Sequence, residues 1–326
     1  MVVTQGWEQR RPCSCCFFTD ECGRGGMADA PDLGSGGATR GGSTPPARTK
    51  DTQMKLRHLV LIRYSISLYK RNPEQVAMLW LLHRLRLFRR TVVPTLSHQT
   101  CHDFTPVLFC DPQTPADYTQ RLKALIEPLG GLIADHSWAF YNRQGLLDAL
   151  DITPANTDVL MTTRLDNDDV IHEDFIARAQ AMALEHLKTR EDAFMVDFRR
   201  GYWLFCGDKP RLFELVIGYP TQFLSVVEPL RAGQPCYGTK GCYCANHPKM
   251  LDEFPWMSNG DFAAWVWMVY GGMQTTFWQS KKEITPMDAK RRGGIEHPTD
   301  VIHDTIRKRF HFEWPPLPAE EVTCKT

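Results

Sequence analysis

Three carboxylates within four residues are the densest chemistry in this sequence. Asp166, Asp168 and Asp169 follow an apolar run directly, in Thr162-Thr163-Arg164-Leu165-Asp166-Asn167-Asp168-Asp169. Like charges this close repel, so a chain has little reason to place them at a buried strand end unless a cation sits there. Magnesium or manganese suits such a set, because hard carboxylate oxygens leave coordination positions open for phosphate oxygens. Sheet ligands also gather at the carboxyl ends of strands. The competing reading is a solvated acidic turn in which Asp168 or Asp169 caps the next helix. Two arginines are candidates beside the acids: Arg63, at the end of the first strand-like run, and Arg164. Either could neutralise phosphate or hold the carboxylates apart.

Other groups of reactive residues carry less. Cys236, Cys242, Cys244 and His247 are close in sequence, but their spacing is not that of a zinc ribbon or knuckle. The same holds for Cys13, Cys15, Cys16 and Cys22, which include adjacent cysteines and have no histidine nearby. Trp256, Trp265, Trp267 and Trp278 could stack on sugar rings, although aromatics at this density are more often core. No G-x-x-x-x-G-K-[ST] loop is present, which argues against P-loop phosphotransfer. A nucleotidyltransferase using the same acids, and a carbohydrate-binding module using the tryptophans, are the rival classes.

The elements that must hold these residues alternate between β-rich and helical patterns, the mark of an α/β fold with a mainly parallel sheet. Strands are expected at His58 to Ile66, Thr105 to Cys110, Leu132 to Asp135 and Asp158 to Leu165. A helix is expected from Val76 to Phe88 with Val76, Leu79, Trp80, His83 and Leu87 on its apolar face, ended or bent by Pro94. Arg84, Arg86, Arg89 and Arg90 then read as its solvated face. A second helix carries Phe175, Ala179 and Met182 on one stripe. Phe194 to Phe198 and Tyr202 to Phe205 read as two strands, and the irregular sequence beyond them as substrate-binding loops.

At 326 residues with 43% hydrophobic content, the chain can bury one substantial core. Residues 1–53 are Gly-, Ser-, Pro- and Arg-rich and are expected to be a dispensable extension, with Met54 a candidate start. Lys plus Arg equals Asp plus Glu at 38 each, so no bulk field draws the molecule to nucleic acid. Residues 55 to 90 nonetheless carry nine Lys or Arg against one acid, Glu74. That local charge fits an anionic diphosphate, or a membrane surface bearing a lipid-linked acceptor. No apolar run spans a bilayer and no signal peptide is evident, so the expectation is a cytoplasmic protein peripheral to the inner membrane, with reduced cysteines.

Several motifs together resemble the bacterial rhamnosyltransferase family. These are Trp80-Leu-Leu-His-Arg84-Leu-Arg-Leu-Phe88, Pro94-Thr-Leu-Ser97-His-Gln99-Thr100, Asp103-Phe104 and Phe109-Cys110-Asp111, then the acidic segment, Gly201-Tyr202 and Phe223-Leu224-Ser225-Val-Val-Glu228. The resemblance covers most of residues 56 to 275 and implies a GT-A-like, Rossmann-type sheet flanked by helices. It further implies a nucleotide-binding half of about 54–170 and an irregular acceptor half of about 171–326. By that similarity, Asp166 faces the ribose and donor sugar, Asp168 ligates manganese or magnesium, and Asp111 contacts the nucleotide base unless it only starts a turn before Pro112. An inverting member would take its base from an acid opening a later helix, here Asp261, with Glu228 the rival. The chain departs from the family pattern at Thr95, at Thr221-Gln222-Phe223, and at Tyr270, where a histidine is usual. His247 would then be the substitute metal ligand.

Overall fold

Leu59 to Ile62 form an unbroken apolar run that is buried throughout, the environment of a central parallel strand. In the computed structural model they lie in β1 (Leu56–Arg63). The chain continues through α1 (Glu74–Arg90), α2 (Val92–Ser97), β2 (Thr105–Cys110), α3 (Ala116–Ile126), β3 (Leu132–Asp135), α4 (Arg143–Ala149), β4 (Val159–Asp166) and β5 (Val170–Ile171). Then follow α5 (Phe175–Leu187), β6 (Phe194–Cys206), β7 (Arg211–Val216), β8 (Ser225–Pro229), β9 (Trp256–Tyr270), α6 (Pro286–Arg291), β10 (Ile295–His297) and α7 (Arg307–Phe310). The structure describes residues 54–66, 74–135, 143–207, 209–231, 242, 247–270, 284–298 and 306–312. Contacts divide the chain into Met1–Met54 and Lys55–Thr326. The extension 1–53, Cys236, Cys244 and Trp278 lie outside the described residues.

The centre of the sheet, in the order β3-β2-β1-β4, is parallel throughout. Helices cover both of its faces. Val60 and Ile62 pack with Trp80, Leu81 and Phe88 of α1, Leu122 of α3 and Phe175 of α5, while Leu59 and Leu61 pack with Leu146 and Leu147 of α4. β8 joins β4 antiparallel and extends the sheet to β6, β7 and β10. β9 runs parallel to β6 and antiparallel to β5. Among the described residues, no helix is long and apolar enough to cross a membrane.

One buried polar chain crosses the sheet. Gln180 of α5 donates to His58 Nδ1 at 3.2 Å, His58 Nε2 lies 2.7 Å from Thr163 Oγ1, and that hydroxyl is 2.5 Å from Ser225 Oγ. Burial lowers His58 to about 3, so the ring is neutral and serves as a relay of hydrogen bonds between β1, β4 and β8.

The structure corrects four expectations. Ala263 to Tyr270 is strand rather than helix, the end of the 15-residue β9. Trp265, Trp267 and Val269 face the main core while Val266, Met268 and Tyr270 face a smaller one with Ile306 and Phe310. With both faces covered, the run is apolar without alternation, and periodicity alone cannot tell it from a buried helix. β6 is one 13-residue strand, continuous through Arg199-Arg200-Gly201. A Cβ at Gly201 would land inside the indole of Trp265 across the ladder, so only glycine lets the two strands meet there. The sequence beyond Cys206, expected to be irregular, supplies β7, β8 and β9. Pro94 is the third residue of α2, in a first helical turn that does not need its missing N–H.

Candidate active site

Parallel pairing puts the last residues of β1 and β4 side by side, with Arg63 in register with Asp166. Arg63 Nη2 and Nε both donate to Asp166 Oδ1, at 2.7 and 3.1 Å. Two residues on, Asp168 forms a buried ion pair with Arg84 from α1. The same Arg84 Nη1 donates to Asn167 Oδ1 at 3.0 Å, and Asn167 Nδ2 donates to the Tyr64 carbonyl at 2.8 Å. The Trp80 ring lies 5.2 Å beneath the Arg84 guanidinium. Each aspartate is therefore held on one oxygen by an arginine from a neighbouring element.

Arg84 was expected on a solvated helix face, and the structure instead buries it. Trp80, Arg84 and Phe88 repeat every four residues, which puts all three on the face of α1 that meets the sheet. The expected stripe member Leu79 is 44% exposed. The helical spacing of Arg84 from Trp80 was the available signal, outweighed by the local density of arginines.

The Pro94-to-Thr100 segment anchors the far side of the acidic turn. Thr95 Oγ1 donates to the Ile171 carbonyl and accepts from the Ile171 amide at 3.1 Å. Gln99 donates to the His172 carbonyl at 2.9 Å and accepts from the Ile176 amide at 3.0 Å. A threonine here keeps the hydroxyl that this bridge requires. Asp169 is committed to structure as well: its two oxygens accept from the Met268 amide at 3.0 Å and Gln222 Nε2 at 2.8 Å.

The charges divide unequally. Burial acts to raise the Asp166 carboxyl, but Arg63, with help from Arg164 and Arg84, holds it below its ordinary value. Burial raises Asp168 against the pull of Arg84, and raises Asp169 much further, where Asp168 and Asp166 add to it. Arg84 itself is favoured in its charged form, because Asp168 outweighs the cost of burying the guanidinium.

The donor chemistry of this turn suits a hard divalent ion. Asp166 Oδ2 and Asp168 Oδ1 accept no hydrogen bond from another described residue, so each carboxylate keeps one oxygen uncommitted. Asp169 does not complete a trio. Among the described residues, the group with three ligating atoms within 4.8 Å of one another is His172, Glu173 and Asp174. There Glu173 is already taken by Arg309 and His311, at 2.6 and 2.7 Å. Two carboxylates with substrate phosphates and water supplying the rest is the arrangement magnesium-type ions favour.

The remaining candidates are dispersed. Arg164 lies two residues before Asp166 on the same face of β4 and is buried. Asp111 closes β2, where its amide donates to Ser65 Oγ at 3.0 Å and its Oδ1 accepts from the Gln113 amide, the turn-forming role. Glu228 pairs with Leu160, six residues before Asp166 and roughly 20 Å along the strand at about 3.3 Å per residue. Asp261 does not open a helix. It is exposed within an irregular stretch of β9, its amide bonded to Asn259 Oδ1 at 2.8 Å, seven residues before the Met268 that touches Asp169. Neither proposed base thus stands at the strand ends. His247 begins a short 3₁₀ turn (His247–Asp252), and its side chain lies outside the described residues.

The family described as putative rhamnosyl transferase matches residues 66–276, a span that holds α1, the acidic turn and β9. The chain belongs to that family. A search among curated proteins gives no match. Among solved structures, this family member is similar to TarS from S. aureus at 11% identity and a TM-score of 0.33, over 66% of this chain and 37% of TarS. It spans little more than a third of that protein's length. It is also similar to a putative nucleotide-diphospho-sugar transferase from Desulfovibrio desulfuricans G20, at 12% identity and a TM-score of 0.30, over 74% of this chain and 95% of that one.

Proposed function

We propose that this rhamnosyl transferase family member moves a sugar, rhamnose being the family's label, from a nucleotide-diphosphate donor to a saccharide or lipid-linked acceptor. The observation that carries the reading is the paired clamp at the end of β4. Arg63 and Arg84 each hold one oxygen of Asp166 or Asp168 and leave the other oxygen uncommitted. Asp166 and Asp168 would hold manganese or magnesium, which when bound offsets the charge of the departing diphosphate. Arg63 keeps 22% of its side chain exposed and would meet the phosphates directly, with Arg164 adding positive potential from behind. Asp111, whose Oδ2 accepts no hydrogen bond from another described residue, would receive the base. In a single displacement, configuration inverts and a base takes the acceptor's proton. Glu228 lies about six residues along the strand from Asp166 and Asp261 lies seven residues before Met268, which counts against either as that base.

Calorimetric titration of a panel of sugar nucleotides, with manganese and with a chelator, tests this reading. Asp168→Asn should weaken manganese-dependent donor binding by at least about tenfold, roughly 1.4 kcal/mol, and leave metal-free binding unchanged. Equal metal-dependent affinities in the two proteins would remove Asp168 from the site. Release of nucleoside diphosphate, rather than pyrophosphate, separates sugar transfer from nucleotidyl transfer.

A further inference from the structure

We infer that Tyr270 and His83 form a pair that grips one hydroxyl of the sugar being transferred. The pair belongs to the donor site proposed above and depends on that reading, which it extends from the diphosphate to the sugar. Among the described residues, Tyr270 Oη, His83 Nδ1 and Arg84 Nε are each buried without a hydrogen-bond partner. Protein interiors satisfy nearly all such atoms, so three of them around one ion pair call for a partner from outside the chain. His83 and Arg84 are consecutive on α1, and the His83 and Tyr270 rings meet edge to face with centroids 6.5 Å apart. Tyr270 ends β9, two residues after the Met268 whose amide donates to Asp169 Oδ1 at 3.0 Å. It lies within electrostatic reach of Arg84, Asp168 and Asp169. The Cys206 thiol, in register with Tyr270 on β6, is beside the phenol but is only a weak partner.

The chemistry of the pair selects a hydroxyl. Burial holds the Tyr270 phenol well above its ordinary value, so it stays protonated and donates. Burial, with Arg84 and Arg86 adding to it, lowers His83 to about 4, so the ring is neutral and, with its proton on Nε2, accepts at Nδ1. A donor beside an acceptor fits a group that does both, as a sugar hydroxyl does, and the hydroxyl oxygen has a second lone pair for Arg84 Nε. A phosphate oxygen carries no proton to give His83. Tyr270 as a whole is only half-buried, and its hydroxyl is the buried end. A turn of this strand-terminal side chain brings the hydroxyl to a sugar bound at the acids.

Titration calorimetry of the full-length protein with manganese tests the pair. The ligands are the dTDP-, UDP- or GDP-linked sugar that wild type binds most tightly and the matching bare nucleoside diphosphate. Tyr270→Phe should bind the sugar nucleotide at least about fivefold more weakly and the bare diphosphate as wild type does. His83→Leu, which removes the acceptor, should show the same split. Among donors lacking a single sugar hydroxyl, one should bind wild type more weakly yet bind Tyr270→Phe as the intact donor does. Without nucleotide, Tyr270→Phe should melt no lower than wild type, because a buried hydroxyl without a partner adds nothing to the fold. A lower melting temperature overturns the inference, since the hydroxyl would then have its partner within the protein. Equal loss of affinity for both ligands, or no loss for either, overturns it as well. Weakened manganese binding in the absence of nucleotide does the same, by making Tyr270 a metal ligand. Failure of wild type itself to bind any of the nucleotides overturns the transferase reading on which the pair depends.

Discussion

Replacing Arg84 by methionine isolates the interaction on which the geometry of the acidic turn depends. The Arg84 and Asp168 side chains are each only 9% exposed, so removal of the guanidinium leaves a buried carboxylate without its partner. Losing one member of such a pair costs about 3–5 kcal/mol, far more than the pair contributes over an apolar replacement. The Asn167 side chain also loses the donor at 3.0 Å, a further cost of about 1 kcal/mol. For a chain of this size, a loss of that order lowers the melting temperature by on the order of 10 °C. Urea denaturation at pH 8 of wild type, Arg84→Met, Asp168→Asn and the double variant gives the coupling. The double variant should recover most of the loss, with an interaction energy of at least about 2 kcal/mol. Arg63→Met is the internal contrast. The Arg63–Asp166 pair is 22% and 27% exposed, so solvent screens it, and the same change there should cost no more than about 1 kcal/mol. Additive effects at Arg84 and Asp168, within about 0.5 kcal/mol, would refute the claim that Arg84 holds Asp168 in place.

Further predictions rest on other parts of the molecule. Gly201→Ala should destabilise by about 1–3 kcal/mol or more in denaturant titration, because the new methyl overlaps the indole of Trp265; an unchanged midpoint would mean that the strands are not in this contact. Burial raises Asp197 to about 6, well above its ordinary value. Between the two values the native state holds a proton that the unfolded chain has lost. This group's contribution is therefore full below about pH 4, falls by up to about 1.4 kcal/mol per pH unit as pH rises, and is lost above about pH 6. Asp197→Asn should flatten that slope in stability measured across the window. Asp261→Asn should leave donor binding and transfer within about twofold of wild type, since Asp261 is exposed on β9 away from the strand ends; a dead variant with intact donor binding would restore it as the base.

Much of this molecule was legible without coordinates, for identifiable reasons. β2 and β3 begin and end where local composition places them, because short apolar runs bounded by turn residues have few other options. The acidic turn could be located at a strand's carboxyl end because three acids within four residues break the apolar pattern of a central strand. Two readings failed where local pattern is silent. The residues of β9 are apolar on both faces, and the choice of strand over helix follows from hydrogen bonding to β6 and β5, partners distant in sequence. That choice moves Asp261 off a helix start and away from the acids. The role of Arg84 is the second. Sequence fixes its charge and its spacing from Trp80, but only the packing of α1 against the end of β4 decides that it meets Asp168. Residue type thus sets which chemistry the turn offers, whereas long-range pairing sets which oxygens are held and which are left open.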